Sequence, residues 1–488
     1  MNYRLLDEKI GDTRTLPECA GSGIDDDTLS AFSHALEGLR GWELVRINPL
    51  DFAERFGFDR DEAVSLFILG AKAGLFVFEW NLLCPRCGGR EHSYGSLNQL
   101  DKEVYHCSLC DADVTVEADD RLEVSFSMPP AVSGEWPDPY VSLSEYCSYF
   151  FSSSLVRSTE LDDAFAFTSG GRQPPLRFAA VPPGKKTRIR LGVTPARRHR
   201  LVSLDTHSIF TVWMKDDPDR PPAEIALAHT DAGFNRKEAF APLAGAEVVL
   251  ANRSRRVMGC LVGSPDSGTL QAVIAAHPPP FKPFCSGKLM LNNQLFRDLF
   301  LGDDLPDNLS LKINDLTLLF TDLKGSTALS DRRGDVDAYK LVQRHFALLA
   351  GIVREHRGGI VKTMGDAVMA SFNVPVDGTR AAERMLEAAD DFNRSGDAGA
   401  GIGLKIGLHR GAAVAVKANG ALDYFGQTVN IASRVQGLAG AGEIWITDDV
   451  MRDEAAAAHL RAAGFSAVAK DVALKGVGNT IRVHSCKK

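Results

Sequence analysis

The chain has 488 residues, 44% hydrophobic and 24% charged, which is long enough for several domains with real cores. A formal net charge of −8 excludes a global basic field for nucleic acid or anionic membrane, and no apolar run approaches the roughly 18 residues of a transmembrane helix. The start, Met1 to Lys9, lacks the apolar core of a signal peptide, so the nine cysteines are expected in a reducing, cytoplasmic setting, some of them on metal.

Residues 1–80 read as a helical, winged-helix-like region. Asn48 to Gly57 is a short helix ended by glycine. A second helix follows from the N-cap candidate Asp59, and Leu75 to Trp80 is a strand. The would-be recognition helix carries Asp59, Asp61 and Glu62 against only Arg60 and Lys72, so a packing or regulatory role is expected rather than phosphate contact. Residues 81–113 hold Cys84-x-x-Cys87 and Cys107-x-x-Cys110, nineteen residues apart. Two such knuckles predict a zinc ribbon with a structural, four-thiolate Zn²⁺, since four ligands leave the metal no open position. Cys19, Cys147, Cys260, Cys285 and Cys486 show no ligand spacing.

Residues 114–299 are rich in β-branched residues and proline-marked loops, which predicts a central β-sandwich-like domain. The runs Arg197 to Arg200 and Arg253 to Arg256 read as solvated basic loops. Residues 300–311 form a linker, and residues 312–488 alternate strand and helix in a βαββαβ order. That order predicts a mostly antiparallel, ferredoxin-like sheet with helices on one face. The fold class expected for the whole chain is therefore multidomain α+β.

Within the last region the apolar strand Leu316 to Phe320 runs to Asp322 and then through Gly325 toward a helix. A second carboxylate, Asp366, sits at a hairpin turn after Lys362-Thr-Met-Gly. Two carboxylates at strand ends, one beside a helix N-terminus, describe a site for Mg²⁺ or Mn²⁺ together with phosphate. Asn430 and Arg434 lie four apart and share one helix face, and Lys475 precedes Gly-Val-Gly near the end of the domain.

With these motifs in this order, residues 312–486 resemble the catalytic domain of class III nucleotide cyclases. The resemblance implies two Mg²⁺ or Mn²⁺ ions held by Asp322, Leu323 and Asp366, and a phosphate cradle through Gly325, Ser326 and Thr327. It implies that Lys362 and Asp423 read adenine, that Asn430 and Arg434 act on the ribose and the transferring phosphate, and that Lys475 meets the leaving phosphates. The substrate implied is ATP, and the assembly a homodimer with two composite sites, without nucleic acid or membrane. The other readings are a guanylate cyclase, which would pair a Glu with Cys or Ser at the base positions, and an inactive nucleotide-sensing or scaffold module. One departure stands out: after a turn at His409-Arg410-Gly411, between strands expected at Ile402 to His409 and Ala412 to Lys417, Ala412 occupies a position where some members carry arginine, with Arg410 as a nearby substitute. The front half resembles uncharacterised N-terminal regions found on some soluble bacterial cyclases, which implies no ligand.

Overall fold

The computed structural model describes residues 1–488 except 101–102, 111, 120, 157–176, 193–196, 218, 264–279, 301–309, 325–334 and 395–402, and the side chains of 98, 335–339 and 392. The chain forms two compact units. The first comprises Met1–Gly95, Lys102–Val116 and Arg121–Cys285, and the second Ser96–Asp101, Glu117–Asp120 and Ser286–Lys488. No helix among the described residues is long and apolar enough to cross a membrane.

The first unit opens with helices α1 (Tyr3–Thr15), α2 (Pro17–Gly21), α3 (Asp26–Glu37), α4 (Pro49–Phe56) and α5 (Arg60–Lys72). The expected boundaries have their physical causes in place. Asn48 caps α4 ahead of a proline at its first turn, and Gly57 ends it in the left-handed region at φ +77°. The Asp59 carboxylate accepts from the amides of Asp61 and Glu62 at the start of α5. These helices bury an aromatic cluster in which Phe32 meets Phe52, Phe67 and Phe76 edge-on.

Strands β1 (Val77–Leu83), β2 (Arg90–Tyr94) and β5 (Leu122–Ser127) form an antiparallel sheet with β1 in the middle, while β3 (Val104–Cys107) and β4 (Ala112–Thr115) make a separate hairpin. Two short helices, α6 (Pro130–Ser133) and α7 (Leu143–Phe150), precede two sheets that share one core. The first sheet has the order β11-β10-β13-β7 and the second β12-β9-β8-β14-β6. Their strands are β6 (Arg177–Val181), β7 (Lys186–Leu191), β8 (Arg198–Ser203), β9 (Ser208–Lys215), β10 (Ala223–Thr230), β11 (Gly233–Phe234), β12 (Glu238–Pro242), β13 (Ala246–Asn252) and β14 (Met258–Gly263). Leu201, Phe210, Leu227, Val248 and Met258 fill the space between them.

One expectation is corrected here. The basic run at Arg197–Arg200 is not a solvated loop, because β8 begins at Arg198 and His199 and Arg200 are buried. Burial of that guanidinium is compensated by hydrogen bonding: Arg200 Nη2 donates to the Ser108 carbonyl at 3.1 Å, inside the second cysteine knuckle.

The second unit is built on one sheet of eight strands, in the order β16-β17-β15-β18-β20-β22-β21, with β19 paired to β18. Its elements, in chain order, are α8 (Gly287–Asn292), α9 (Gln294–Phe300), β15 (Ser310–Lys324), α10 (Asp335–Glu355), β16 (Gly358–Met364), β17 (Ala367–Phe372) and α11 (Pro375–Arg394). They continue with β18 (Gly403–Ala418), β19 (Ala421–Phe425), α12 (Gln427–Gln436), β20 (Glu443–Thr447), α13 (Asp448–Met451), α14 (Glu454–Ala462), β21 (Ser466–Ala473) and β22 (Thr480–Lys487). All ladders are antiparallel except β18 with β20.

The expected strand and helix order holds, with three differences. The segments around His409 are one continuous strand, β18, without a turn at His409-Arg410-Gly411. β21 and β22 widen the sheet beyond the six-element pattern. The helices also lie on both faces. Leu319, Ile406, Ile444 and Ile446 pack with residues of α10, α11 and α14, whereas the alternate residue Trp445 packs with Ile431 and Val435 of α12. Gly407 permits that second layer, since a Cβ there would lie 2.2 Å from the backbone nitrogen of Gln436.

Candidate functional site

The two carboxylates are brought together by strand register. Thr321 of β15 pairs with Val368 of β17, and its hydroxyl accepts from the Val368 amide at 3.2 Å. One step further on, Asp322 comes level with the tight turn that carries Asp366. Both are half-buried. The strand does not stop at Asp322 but continues to Lys324, with the buried Leu323 paired to Leu404. The expected phosphate cradle at Gly325, Ser326 and Thr327 lies outside the described residues.

Asp322 already holds a cation. Lys405, its cross-strand neighbour on β18, places Nζ 2.7 Å from Asp322 Oδ2. Lys405 is visible only through the pairing of β15 with β18, so no motif flagged it. A second residue without a sequence signal is His345, buried on α10 with no hydrogen-bond partner for Nε2 among the described residues. Burial pushes its imidazole down to about 4, against the opposing pull of the Asp366 charge.

The proposed base-reading residues meet directly. Lys362 Nζ lies 2.6 Å from Asp423 Oδ2, with the Asp423 side chain 16% and the Lys362 side chain 38% exposed. The other Asp423 oxygen accepts from the Tyr424 amide at 2.8 Å, which fixes the carboxylate plane. On α12, Asn430 and Arg434 are exposed, as is Lys475. Arg434 and the Lys475–Gly476 turn belong to one neighbourhood, since a Cβ on Gly476 would lie 3.8 Å from Arg434 Nη2.

Arg410 is not free to take the place of an arginine at position 412. Its guanidinium is bound bidentately to Asp315, at 2.7 and 2.8 Å. Ala412 itself lies under the start of α12, where its carbonyl accepts from the Thr428 hydroxyl at 2.5 Å. Next to Arg410 in β18, His409 is buried and bonded through Nδ1 to Thr447 Oγ1 at 2.9 Å, and burial pushes it down to about 4.

The four cysteines of the paired knuckles converge in the first unit. Their sulfurs lie within 4.8 Å of one another, all four residues buried. Cys84 and Cys110 are 3.9 Å apart through sulfur, and Cys87 and Cys107 3.7 Å. A tetrahedron of thiolates around Zn²⁺ at about 2.3 Å has edges of about 3.8 Å, so the spacing fits the metal. Each knuckle also turns an amide onto its own sulfur, Gly89 to Cys87 and Cys110 to Cys107, both at 3.4 Å. These donors stabilise the charged form a metal requires. Of the five remaining cysteines, Cys19, Cys260, Cys285 and Cys486 are buried and Cys147 is half-buried.

Residues 14–298 match the model of a family described as a family of unknown function (DUF5939), and residues 310–483 match that of the adenylate and guanylate cyclase catalytic domain. Adenylate cyclase 1 of Rhizobium meliloti (strain 1021) is 33% identical over 138 residues, covering 25% of this chain and 21% of the relative. The adenylate cyclase of Anabaena cylindrica is 30% identical over 189 residues, covering 35% of this chain and 36% of the relative. The chain thus spans about a fifth to a third of the length of these curated relatives. The adenylyl cyclase CyaB from P. aeruginosa superposes on 37% of this chain and 96% of its own, at 22% identity and a TM-score of 0.32.

Proposed function

The chain belongs to the DUF5939 family and carries a cyclase catalytic domain behind that region, and we propose that it is an adenylate cyclase, converting ATP to 3′,5′-cyclic AMP and pyrophosphate. The observation that carries this reading is the Lys362–Asp423 pair at 2.6 Å. Asp423 can accept from the amino group of adenine, and Lys362 can donate to a ring nitrogen. Guanine presents the opposite polarity at that position, which disfavours a guanylate cyclase.

In this reading the ribose 3′-hydroxyl attacks the α-phosphorus in line and pyrophosphate leaves. Asp322, Leu323 and Asp366 would hold the Mg²⁺ or Mn²⁺ ions. These supply charge neutralisation at the phosphates and a more acidic 3′-hydroxyl when bound. The donor set fits: the carboxylates are hard oxygen ligands, and Asp322 attracts a cation, the Lys405 ammonium, with which a metal ion would compete. Asn430 would position the ribose, Arg434 would stabilise the charge developing on the transferring phosphate, and Lys475 would bind the leaving phosphates.

The exposure of Asn430, Arg434 and Lys475 supports a site completed by a second copy of the chain, giving a homodimer with two composite sites. In that assembly the carboxylates come from one copy and the base-reading and transition-state residues from the other. Zinc on the four buried cysteines would be structural, and their thiolate chemistry suits a reducing cytoplasm.

Product identification with ATP and GTP, with and without Mn²⁺, tests the reading. Cyclic AMP as the main product supports it. Cyclic GMP from GTP as the main product, or tight ATP binding without turnover, overturns it in favour of a guanylate cyclase or an inactive nucleotide sensor.

A further inference from the structure

The last two helices of the DUF5939 match, α8 and α9, fold into the same compact unit as the cyclase sheet. Their polar side chains converge on the strands that bear Lys362 and Asp423. Arg297 Nη1 donates to the Ile360 carbonyl at 2.5 Å, and its Nη2 donates to the Tyr424 hydroxyl at 3.2 Å. Ile360 stands two residues before Lys362 on β16, and Tyr424 follows Asp423 on β19. No ladder joins these strands, because β17, β15 and β18 lie between them in the sheet. One guanidinium therefore bridges two strands that the sheet leaves separate.

The surrounding bonds hold this bridge in place. Arg297 Nε is anchored on the Leu291 carbonyl at 2.6 Å. Gln294 Oε1 accepts from the Ile360 amide at 2.7 Å, beside the register shift between Ile360 and Lys362. Asn292, fully buried, accepts from the hydroxyls of Tyr424 and Ser371, each at 2.7 Å, and donates to Asn373 at 2.8 Å. Both backbone groups of Ile360 and the Tyr424 hydroxyl are thus held by α8 and α9.

We infer that Arg297, with Asn292, is a positioning residue for purine recognition: it sets the separation of Lys362 and Asp423 from the end of the region of unknown function. The inference rests on the adenine reading of that pair. A displacement of about 1 Å at a recognition pair can cost up to roughly a hundredfold, so loss of the bridge acts on base preference rather than on general affinity.

The test is binding of 3′-deoxy-ATP against 3′-deoxy-GTP, which lack the attacking hydroxyl, to the full chain with Mn²⁺ by calorimetry. Arg297→Met keeps the stem and removes both bridging bonds. It is expected to lower the preference for the adenine nucleotide about tenfold, with Arg297→Lys recovering part of it. Tyr424→Phe, which removes only the shared hydroxyl, is expected to shift the preference in the same direction, and it decides the matter if Arg297→Met does not fold. A purely structural role would weaken both nucleotides equally and leave their ratio unmoved. Lys362→Ala is the reference. If it loses the preference while the Arg297 and Tyr424 variants keep it, the bridge is overturned and the adenine reading stands. If Lys362→Ala also keeps the preference, the adenine reading falls and the bridge falls with it.

Discussion

The cysteine cluster and the cyclase site are two candidate metal centres built in opposite ways. The first is closed: four ligands from one chain, all buried, with amides aimed at the sulfurs and Arg200 gripping the knuckle from β8. The second is open: half-buried carboxylates, and exposed Asn430, Arg434 and Lys475. A centre that serves folding can be finished by the chain that needs it. A centre that serves turnover must leave room for a substrate and, in the reading proposed here, for a second chain.

The sharpest way to break that contrast is to remove a carboxylate. Asp322→Ala or Asp366→Ala is expected to reduce cyclic AMP formation by roughly a thousandfold or more, with thermal unfolding nearly unchanged. Mixing Asp322→Ala with Arg434→Ala in equal amounts should restore about a quarter of native activity. Half of randomly formed dimers are mixed, and each mixed dimer carries one intact site of two. Activity that stays at zero although mixed dimers form would show that the site is not shared.

The closed centre should respond in stability. Cys84→Ser, or stripping by a chelator, is expected to destabilise the first unit by several kcal/mol, read as a lower unfolding temperature together with loss of bound zinc. If unfolding is unmoved, the cluster is not a structural metal site.

Protons act on the second unit through its buried imidazoles. His345 and His409 are pushed down to about 4, so each stays neutral in the fold while the unfolded chain takes up a proton near 6.5. Their contribution is complete above about pH 6.5 and is lost as the pH falls toward 4, by up to about 3 kcal/mol each. Urea unfolding of His409→Gln at pH 7 and pH 4.5 should show a shallower loss than the native chain.

The smallest expected effect sharpens the contrast most. Lys405→Met removes an ammonium from beside a metal-ligating carboxylate and should tighten Mn²⁺ binding several-fold, measurable by electron paramagnetic resonance without substrate. A closed thiolate centre offers no comparable gain.

Local chemistry was readable in the sequence, and register was not. The Asp59 cap and the stop at Gly57 depend on neighbours a few residues away, and the structure bears them out; the four cysteines of the paired knuckles converge. The juxtaposition of Lys362 with Asp423 came from resemblance, not spacing, since sixty-one positions separate them. Lys405 and Arg297 escaped notice, and Arg200 was read as part of a solvated loop, because each acts across strands or between elements far apart in the chain. The glycine at 411 suggested a turn. Its actual cause is crowding from α12, since a Cβ there would lie 2.7 Å from the Thr428 hydroxyl. A glycine pattern alone does not distinguish a bend from a close approach.

The distribution of the nine cysteines has a practical consequence for anyone handling the protein. Burial pushes the Cys260 and Cys486 thiols up to about 12 and raises those of Cys19 and Cys285 as well, which makes all four poor nucleophiles at neutral pH. With zinc on the knuckles, an alkylating reagent meets the half-buried Cys147 first in the native fold, and stripping the metal adds the knuckle thiols as the first unit loosens. The mass added per chain by alkylation then reports metal occupancy, and the first native label offers one defined position for a fluorophore.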